Sequence, residues 1–542
     1  MFRSRCHEGR PLIQESRSWK TSGDRHLIGM TNNGNISTGE VVVVTPARET
    51  FNIEDGQREP GHVVVLGPID NDSDNAKVPR ISAADGSTPE REALLSGWRR
   101  HNDVASLQEV NSSINVPEGA WYKKAFAFAG LGIMVSVAYM DPGNWATGLN
   151  GGAAFGYTLL SVILLSNFAA NFFQFMSLKL GIVADRDLAQ ACRDAYPKYV
   201  VYVLWVMMEI AIAATDLAEV IGSAVAMNLL FGLPLWAGVL ITAVDTMIIL
   251  VFGTRSFRSL EVLVLLLCLL IAGVFVYELI AVKPEWIRVA KGLYPKSEII
   301  TNPDILYNAI GILGATCMPH SLFLHSSIIQ TRAYPRTKQG RKMALKYGTW
   351  DSCFSLTFAF FVNASILILA AAAFHYGPYA NRELANLSDA YKLLAPALGN
   401  NAAKILFGVA LLACGQNSTI IGTLSGQVVM EGFLRIRIKP WLRRFVTRSI
   451  SIIPAAIVAA IGGNNGAGRL LVLSQVILSF TLIFAVVPLV HFTSSPAKMG
   501  SFVNSWVARI CAWTIAAIIG SLNAYLVIQS IRQGSFGQAG HV

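Results

Sequence analysis

From Trp121 almost to the C-terminus, apolar runs of about twenty residues alternate with short polar connections. A helix rises 1.5 Å per residue, so about twenty apolar residues are what one helix needs to cross the hydrocarbon core of a bilayer. The pattern predicts eleven spans, over residues 123–150, 153–181, 199–226, 233–252, 260–282, 305–330, 348–374, 402–425, 447–463, 469–492 and 504–530. Residues 1–118 lack this periodicity. They are polar, acidic and rich in Gly, Ser, Asn and Asp, which predicts a mostly disordered cytosolic tail. Two β-branched runs, Val41–Thr45 and Val63–Leu66, interrupt it. The membrane domain is read over 119–533, with a short tail over 534–542.

Composition sharpens this reading. The chain has 542 residues, 53% of them hydrophobic and only 14% charged, with a mean hydropathy of +0.46. Soluble proteins carry roughly 25% charged residues. A soluble enzyme, a disulfide scaffold and a nucleic-acid binder are thereby excluded, despite the net charge of +10. Residues 1–120 hold 13 basic and 17 acidic residues, so the excess of positive charge belongs to the membrane part. With the N-terminus placed in the cytosol, inside loops hold about 19 Lys and Arg and outside loops about 8, as the positive-inside rule requires. The sequon at Asn386 then lies in an external loop, open to glycosylation. The seven cysteines are scattered and read as packing residues. No apolar leader, Walker motif or catalytic constellation appears, which points away from an enzyme or an ATP-driven pump.

Span 1 contains Ala138-Tyr139-Met140-Asp141-Pro142-Gly143-Asn144. A carboxylate at mid-bilayer costs ~3 kcal/mol on insertion scales. Beside it, Pro142 removes a backbone donor and Gly143 loosens the chain. Such a segment unwinds and leaves carbonyls that must line a cavity or meet an ion. Span 6 repeats the device in Gly314-Ala315-Thr316-Cys317-Met318-Pro319-His320, where Pro319 frees carbonyls around Ala315. Paired breaks in two halves mark the site of an inverted-repeat transporter, here spans 1–5 and 6–10 with an eleventh outside the repeat. The donors that converge are the Asp141 carboxylate, the Asn144 amide oxygen, the freed carbonyls and the Met318 thioether. Hard cations such as Mg²⁺ and Ca²⁺ gain little from sulfur, whereas Mn²⁺, Fe²⁺, Co²⁺ and Cd²⁺ accept a softer ligand.

Three segments carry a family resemblance: DPGNWATGL at 141–149, GATCMPHSLFLHS at 314–326 and GQNSTIIGTLSGQVVMEGF at 415–433. They resemble the signature motifs of the NRAMP family of proton-coupled divalent-metal transporters, over roughly residues 120–530. The resemblance implies an all-α polytopic protein with a LeuT-type fold, its 5+5 inverted repeat followed by an eleventh helix, and helices 1 and 6 unwound at the centre. It implies metal held by Asp141, Asn144, Met318 and the Ala315 carbonyl, with the Ala138 carbonyl and Gln475 completing the shell in some states. Family members carrying Mg²⁺ or Al³⁺ lack the methionine. Where members of the family often read Gln-Leu-Pro-Phe, this chain has Thr481-Leu482-Ile483-Phe484, a departure that bears on the shape of helix 10. The long acidic tail with eleven spans resembles a fungal member, at home in the plasma membrane or in an endosomal or vacuolar membrane.

Span 3 holds Glu209, Asp216 and Glu219, whose spacings of seven and three bring the carboxyls near one helical face. Three carboxyls in one span are costly unless some are protonated or paired, which suits a proton relay; a structural polar cluster is the plainer alternative. Asp245 on span 4 reads as structural. Arg448 opens span 9 and is placed to neutralise a span-3 carboxylate, and the resemblance puts Asp216, Glu219 and Arg448 in one network. His320, next to the break, is assigned to pH-dependent gating, and His325 joins the proton pathway. The predicted function is import of Mn²⁺ and Fe²⁺, with Cd²⁺ and Co²⁺ also accepted, by proton symport and alternating access. Metal is the substrate, the proton the coupling ion, and no cofactor is implied. The predicted partners are the lipid bilayer and trafficking or ubiquitination machinery at the tail, with no nucleic acid. An amino-acid carrier on the same fold is a second reading, opposed by Asp141, which repels a substrate carboxylate. A metal-sensing receptor is a third, and it would normally add a soluble signalling domain.

Overall fold

The computed structural model describes residues 110–242, 257–377, 401–436 and 440–532, with Trp98, Ser106, Leu107 and four short strands ahead of them. The chain divides into two compact units, Met1–Gly86 and Ser87–Val542. In the first, β1 (Ser16–Lys20), β2 (His26–Met30), β3 (Val41–Val43) and β4 (Val64–Leu66) pair antiparallel in that order. The two β-branched runs supply β3 and β4, whose branched side chains suit a pleated strand.

The second unit is the membrane bundle, and it reaches back past residue 119. Trp98 and Leu107, apolar residues in a polar stretch, are buried against it. Among the described residues, ten helices are long and apolar enough to cross a membrane. Helix 1 occupies Trp121–Phe128, Leu131–Ser136, a tight turn at Val137–Met140 and Pro142–Phe155. Helix 2 follows at Leu160–Ala184, helix 3 at Lys198–Phe231 and helix 5 at Phe257–Val282. Helix 6 is split into Pro303–Thr316 and Pro319–Ile328. Helix 7 spans Lys338–Ala370 and helix 8 Asn401–Leu434. Helices 9 and 10 share Pro440–Thr493 and part at Gly463, where φ is 56°. Helix 11 is Trp506–Arg532. The end of span 4, including Asp245, lies outside the described residues, as does Asn386.

Burial separates lipid-facing from central helices. On helix 9 the exposed Ile450, Ile453, Ile457 and Ile461 recur at three- and four-residue intervals and form one apolar stripe. Such a stripe has no place in water and fits acyl chains. The apolar part of helix 6 is wholly buried. The broken helices 1 and 6 therefore sit inside, with helices 3, 8 and 10 packed around them. Helix 10 stays helical through Thr481–Phe484, so the departure from the family pattern leaves the helix continuous there.

The broken helices also have a clamp at one end. Glu261 on helix 5 binds Arg332 (2.7 Å) and Arg258 (2.7 Å), and both guanidiniums reach carbonyls of the first helix-1 piece, at Phe126, Ala127 and Ala129. Asp351 on helix 7 accepts from the amides of Gly130 and Gly132. These partners satisfy the backbone groups that the break at Ala129–Gly130 leaves open.

Candidate functional site

Pro142 and Pro319 each open a helix piece, where the missing N–H costs nothing and the fixed φ fits. The residue before each is pushed out of the helical region: Asp141 has φ −58° and ψ 152°, and Met318 has φ −64° and ψ 126°. The Asp141 carboxyl caps its piece, accepting from Gly143 N at 3.2 Å.

The two breaks face each other. Asn144 Nδ2 donates to the Tyr139 carbonyl of helix 1 (2.8 Å) and to the Ala315 carbonyl of helix 6 (3.0 Å). Helix 10 presses on both at Gln475. A Cβ at Gly143 would lie 1.7 Å from Gln475 Nε2, and one at Gly314 would lie 2.0 Å from the Gln475 carbonyl oxygen. Only glycine permits that approach.

Asp141 Oδ1, Asn144 Oδ1 and Gln475 Oε1 are all buried without a hydrogen-bond partner. An unmet buried polar atom costs about 1–3 kcal/mol, so three on the first break and on the helix that presses against it call for a ligand. Met318 is fully buried, and its side chain lines a small cavity with Ala138, Asp141, Thr215, His320 and Ser418. A second cavity, on the Asn144 side, is lined by Thr147, Ala315, Thr316 and Asn363. One carboxylate, several neutral oxygens and one thioether make a donor set for a cation of intermediate softness. Among the described residues no cluster of three or more His, Cys, Asp or Glu side chains is placed to hold a metal.

The ionisable residues fall into two groups. His320 Nδ1 lies 3.4 Å from Thr215 Oγ1 on helix 3, next in sequence to the buried Asp216. Glu219, one turn on, binds Arg448 Nη1 (3.1 Å) and accepts from Thr419 on helix 8 (3.2 Å). Asp141, His320, Asp216, Glu219 and Arg448 thus form a sequence of neighbours across helices 1, 6, 3 and 9. Glu209 stands apart, half-buried and accepting from Trp205 Nε1 at 3.1 Å. His325 turns the other way, to Gln174 Oε1 (3.0 Å); Gln174 Nε2 in turn reaches Tyr139 and Ser321.

Sequence reasoning passed over two residues at the break. Asn363 on helix 7 donates to the Tyr139 carbonyl at 2.6 Å and keeps its own Oδ1 unpartnered. Ser418 on helix 8 flanks the Asp141 carboxyl. A lone amide in the apolar run FFVNASIL was the available signal for the first. A serine in a membrane helix carries none.

The pattern described as natural resistance-associated macrophage protein-like, abbreviated Nramp, matches residues 132–529. The chain belongs to the NRAMP family. It is 54% identical over 442 residues to a divalent metal cation transporter, MntH, of Listeria welshimeri, covering 81% of this chain and 98% of that protein. The MntH of Agrobacterium fabrum is 54% identical over 434 residues, 80% of this chain and 94% of that one. The crystal structure of a manganese transporter from Eremococcus coleocola superposes with a TM-score of 0.73 at 40% identity, covering 81% of this chain and 92% of that one. MhsT, crystallised with L-phenylalanine, shares the fold alone, at TM-score 0.50 and 13% identity. The NRAMP chain described here is an integral membrane transporter with a LeuT-type fold, not an enzyme.

Proposed function

We propose that the protein carries divalent transition-metal cations, Mn²⁺ and Fe²⁺ first among them, across the bilayer by alternating access coupled to protons. The observation that supports this most is the set of unpartnered buried oxygens, Asp141 Oδ1, Asn144 Oδ1 and Gln475 Oε1, beside Met318 at the meeting of two broken helices. The relatives named above as divalent metal cation and manganese transporters support the same substrate class. In this reading Asp141 supplies the one full negative charge, Asn144, Gln475 and the carbonyls of Ala138 and Ala315 replace hydration waters, and Met318 disfavours hard cations. The metal is cargo, and no cofactor takes part.

A cation binds only the deprotonated carboxylate, so metal entry displaces any proton Asp141 holds. His320 is the first acceptor in reach, and Asp216, Glu219 and Arg448 continue the line from it. With the N-terminus taken as cytosolic, a reading the excess of basic residues in alternate loops supports, the first pieces of helix 1 and the last piece of helix 6 form the inner half of the path. An amino-acid carrier is disfavoured because Asp141 repels a substrate carboxylate at the position where that fold would hold it.

The test is ⁵⁴Mn uptake into vesicles containing purified protein, comparing the parent with Asp141→Ala. Uptake at least about a hundredfold lower, with equal protein in the membrane, is the expected result. Saturable uptake near the parent level in the variant would rule out Asp141 as the ligand.

A further inference from the structure

The stretch before helix 1 is polar enough to be left in water, yet Trp98, Ser106, Leu107 and residues 110–116 are fastened to one face of the bundle. Trp98 is only 4% exposed. Its ring lies 5.7 Å from that of Phe492 at the end of helix 10, with Arg186 at 4.9 Å and Lys498 at 4.3 Å over it. Further along, Ser106 Oγ accepts from Gln190 Nε2 (3.2 Å) in the short helix Leu188–Ala195 between helices 2 and 3. Leu107 N donates to Glu431 Oε2 at the end of helix 8 (3.2 Å). Ser112 N donates to the Gln330 carbonyl just beyond helix 6 (2.9 Å). β5 (Ile114–Asn115) then pairs parallel with β6 (Arg332–Ala333), five residues before helix 1 begins.

One segment therefore ties the end of helix 6 and the start of helix 1 to helices 8 and 10 and to the helix 2–3 connection. Two of its residues are held against their own preference: Leu107 and Ser112 have φ of 54° and 53°, in the left-handed region that side-chain-bearing residues avoid. Such conformations persist only where surrounding contacts over-determine them, and they cluster at switches. Here the contacts are the buried Trp98 and Leu107, the apolar packing of Val110, Ile114 and Val116, and a few hydrogen bonds at the rim. Opening this face requires the ends of helices 1 and 6 to move relative to helices 8 and 10, and the segment spans that divide.

We propose that Trp98, Ser106, Leu107 and residues 110–116 act as a strap that holds this face closed, with Trp98 as its anchor. The β5–β6 attachment carries the motion of helices 1 and 6 to the strap, which must yield at an anchor each time the face opens. The inference rests on the transport reading above, and two measurements separate the two.

In a background with Cys6, Cys353 and Cys511 changed to Ser, Asn115→Cys is combined with Ala333→Cys, facing positions in the β5–β6 ladder and close enough for a disulfide. That bond fixes helix 6 to the strap, so Trp98→Cys and Phe492→Cys are joined as well by a bis-methanethiosulfonate crosslinker, which bridges positions whose side chains meet only at their rings, to fix the strap to helix 10. Linking both pairs together is expected to lower ⁵⁴Mn uptake at least about tenfold, with recovery on reduction. Uptake that persists within about twofold while both links are formed would overturn the strap.

The second measurement needs no transport. In Trp98→Ala, amide exchange in residues 188–195 and 329–333 is expected to quicken about tenfold or more, because those segments lose their cover. Unchanged exchange there would also overturn the proposal. A protein that moved no Mn²⁺ at all would sink the transport reading, and the exchange measurement would still decide the strap.

Discussion

Asn144 Nδ2 lies 3.0 Å from the Ala315 carbonyl, so a single amide joins the broken backbone of helix 1 to that of helix 6. The same side chain holds the Tyr139 carbonyl and points a free Oδ1 into the site. In the proposed function it acts as both clasp and ligand. Asn144→Ala removes both roles and is expected to raise the KM for Mn²⁺ about tenfold or more, since losing a hydrogen-bonded polar partner costs about 1–3 kcal/mol. Asn144→Asp keeps an oxygen but loses the donor to Ala315, so it should recover part of the affinity. Concentration series of ⁵⁴Mn uptake for both variants check this, and equal KM values for parent and Asn144→Ala would remove Asn144 from the shell.

Met318 tests selectivity. It is fully buried beside Asp141, in the backbone kink that Pro319 imposes, and a packing methionine would tolerate leucine. Met318→Ala should keep Mn²⁺ transport with some loss of affinity while admitting Ca²⁺ or Mg²⁺ as competitors and reducing the advantage of Cd²⁺. Competition profiles against ⁵⁴Mn decide the matter. Profiles identical to the parent would mean that the sulfur does not touch metal.

The breaks were legible in the sequence because proline is expensive in the middle of a membrane span, and Asp141 adds a charge beside the first of them. The helix-3 carboxyls were legible for the same reason, and Arg448 was legible as a partner for one of them, which the fold shows to be Glu219. Asn363 and Ser418 were not, because neutral polar residues recur throughout membrane helices and their meaning depends on which face turns inward. Glu261, Glu278 and Asp351 met the criterion of an ionisable residue in a span, but only the fold shows that Glu261 and Asp351 clamp helix 1. The strap left no trace in periodicity, since Trp98 and Leu107 are isolated apolar residues whose partners are hundreds of positions away.

The clamp at Glu261 makes a prediction about stability. Glu261 joins Arg332, which is fully buried, and Arg258. Breaking a buried ion pair by neutralising one side costs about 3–5 kcal/mol because the other charge stays in low dielectric. Glu261→Gln should lower the thermal midpoint of the purified protein by several degrees, and Arg332→Met combined with it should recover part of the loss. A midpoint unchanged in Glu261→Gln would show that water reaches the pair.

Asp187, outside the membrane spans, offers a pH test. It caps the short helix Leu188–Ala195 through Gln190, and burial pushes its carboxyl up to about 6, against the opposing pull of hydrogen bonds from Ser106 and Gln190 and of the Arg193 charge. A folded-state value above that of the open chain means the folded segment binds the proton more tightly. The local stability is then greatest below about pH 4, where both states are protonated, and declines as pH rises through about 6. Asp187→Asn keeps a capping side chain and removes the titration. Exchange protection of residues 188–195, corrected for intrinsic rates, should fall between pH 4 and 6 in the parent and stay level in the variant.

Proton coupling needs the most careful test, because voltage alone is a sufficient driving force. A divalent cation entering an inside-negative compartment gains ~4.6 kcal/mol per 100 mV, twice the ~2.3 for one charge. A metal site therefore has no need of the buried Asp216 and Glu219, and their presence beside His320 motivates the relay. If Asp141 yields its proton to metal and His320 passes it to Asp216, influx should rise as external pH falls from about 7.5 to about 5.5. Acidification inside should accompany the metal. Asp216→Asn keeps the shape, the metal ligands and the Glu219–Arg448 pair, but it cannot take up a proton. It should flatten the pH dependence of uptake while changing the KM for Mn²⁺ by less than about threefold. Vesicles with a pH dye inside and the voltage clamped by K⁺ and valinomycin measure both fluxes at once. Metal influx there without proton entry in the parent protein would end the symport reading and leave the helix-3 carboxyls as a structural pair.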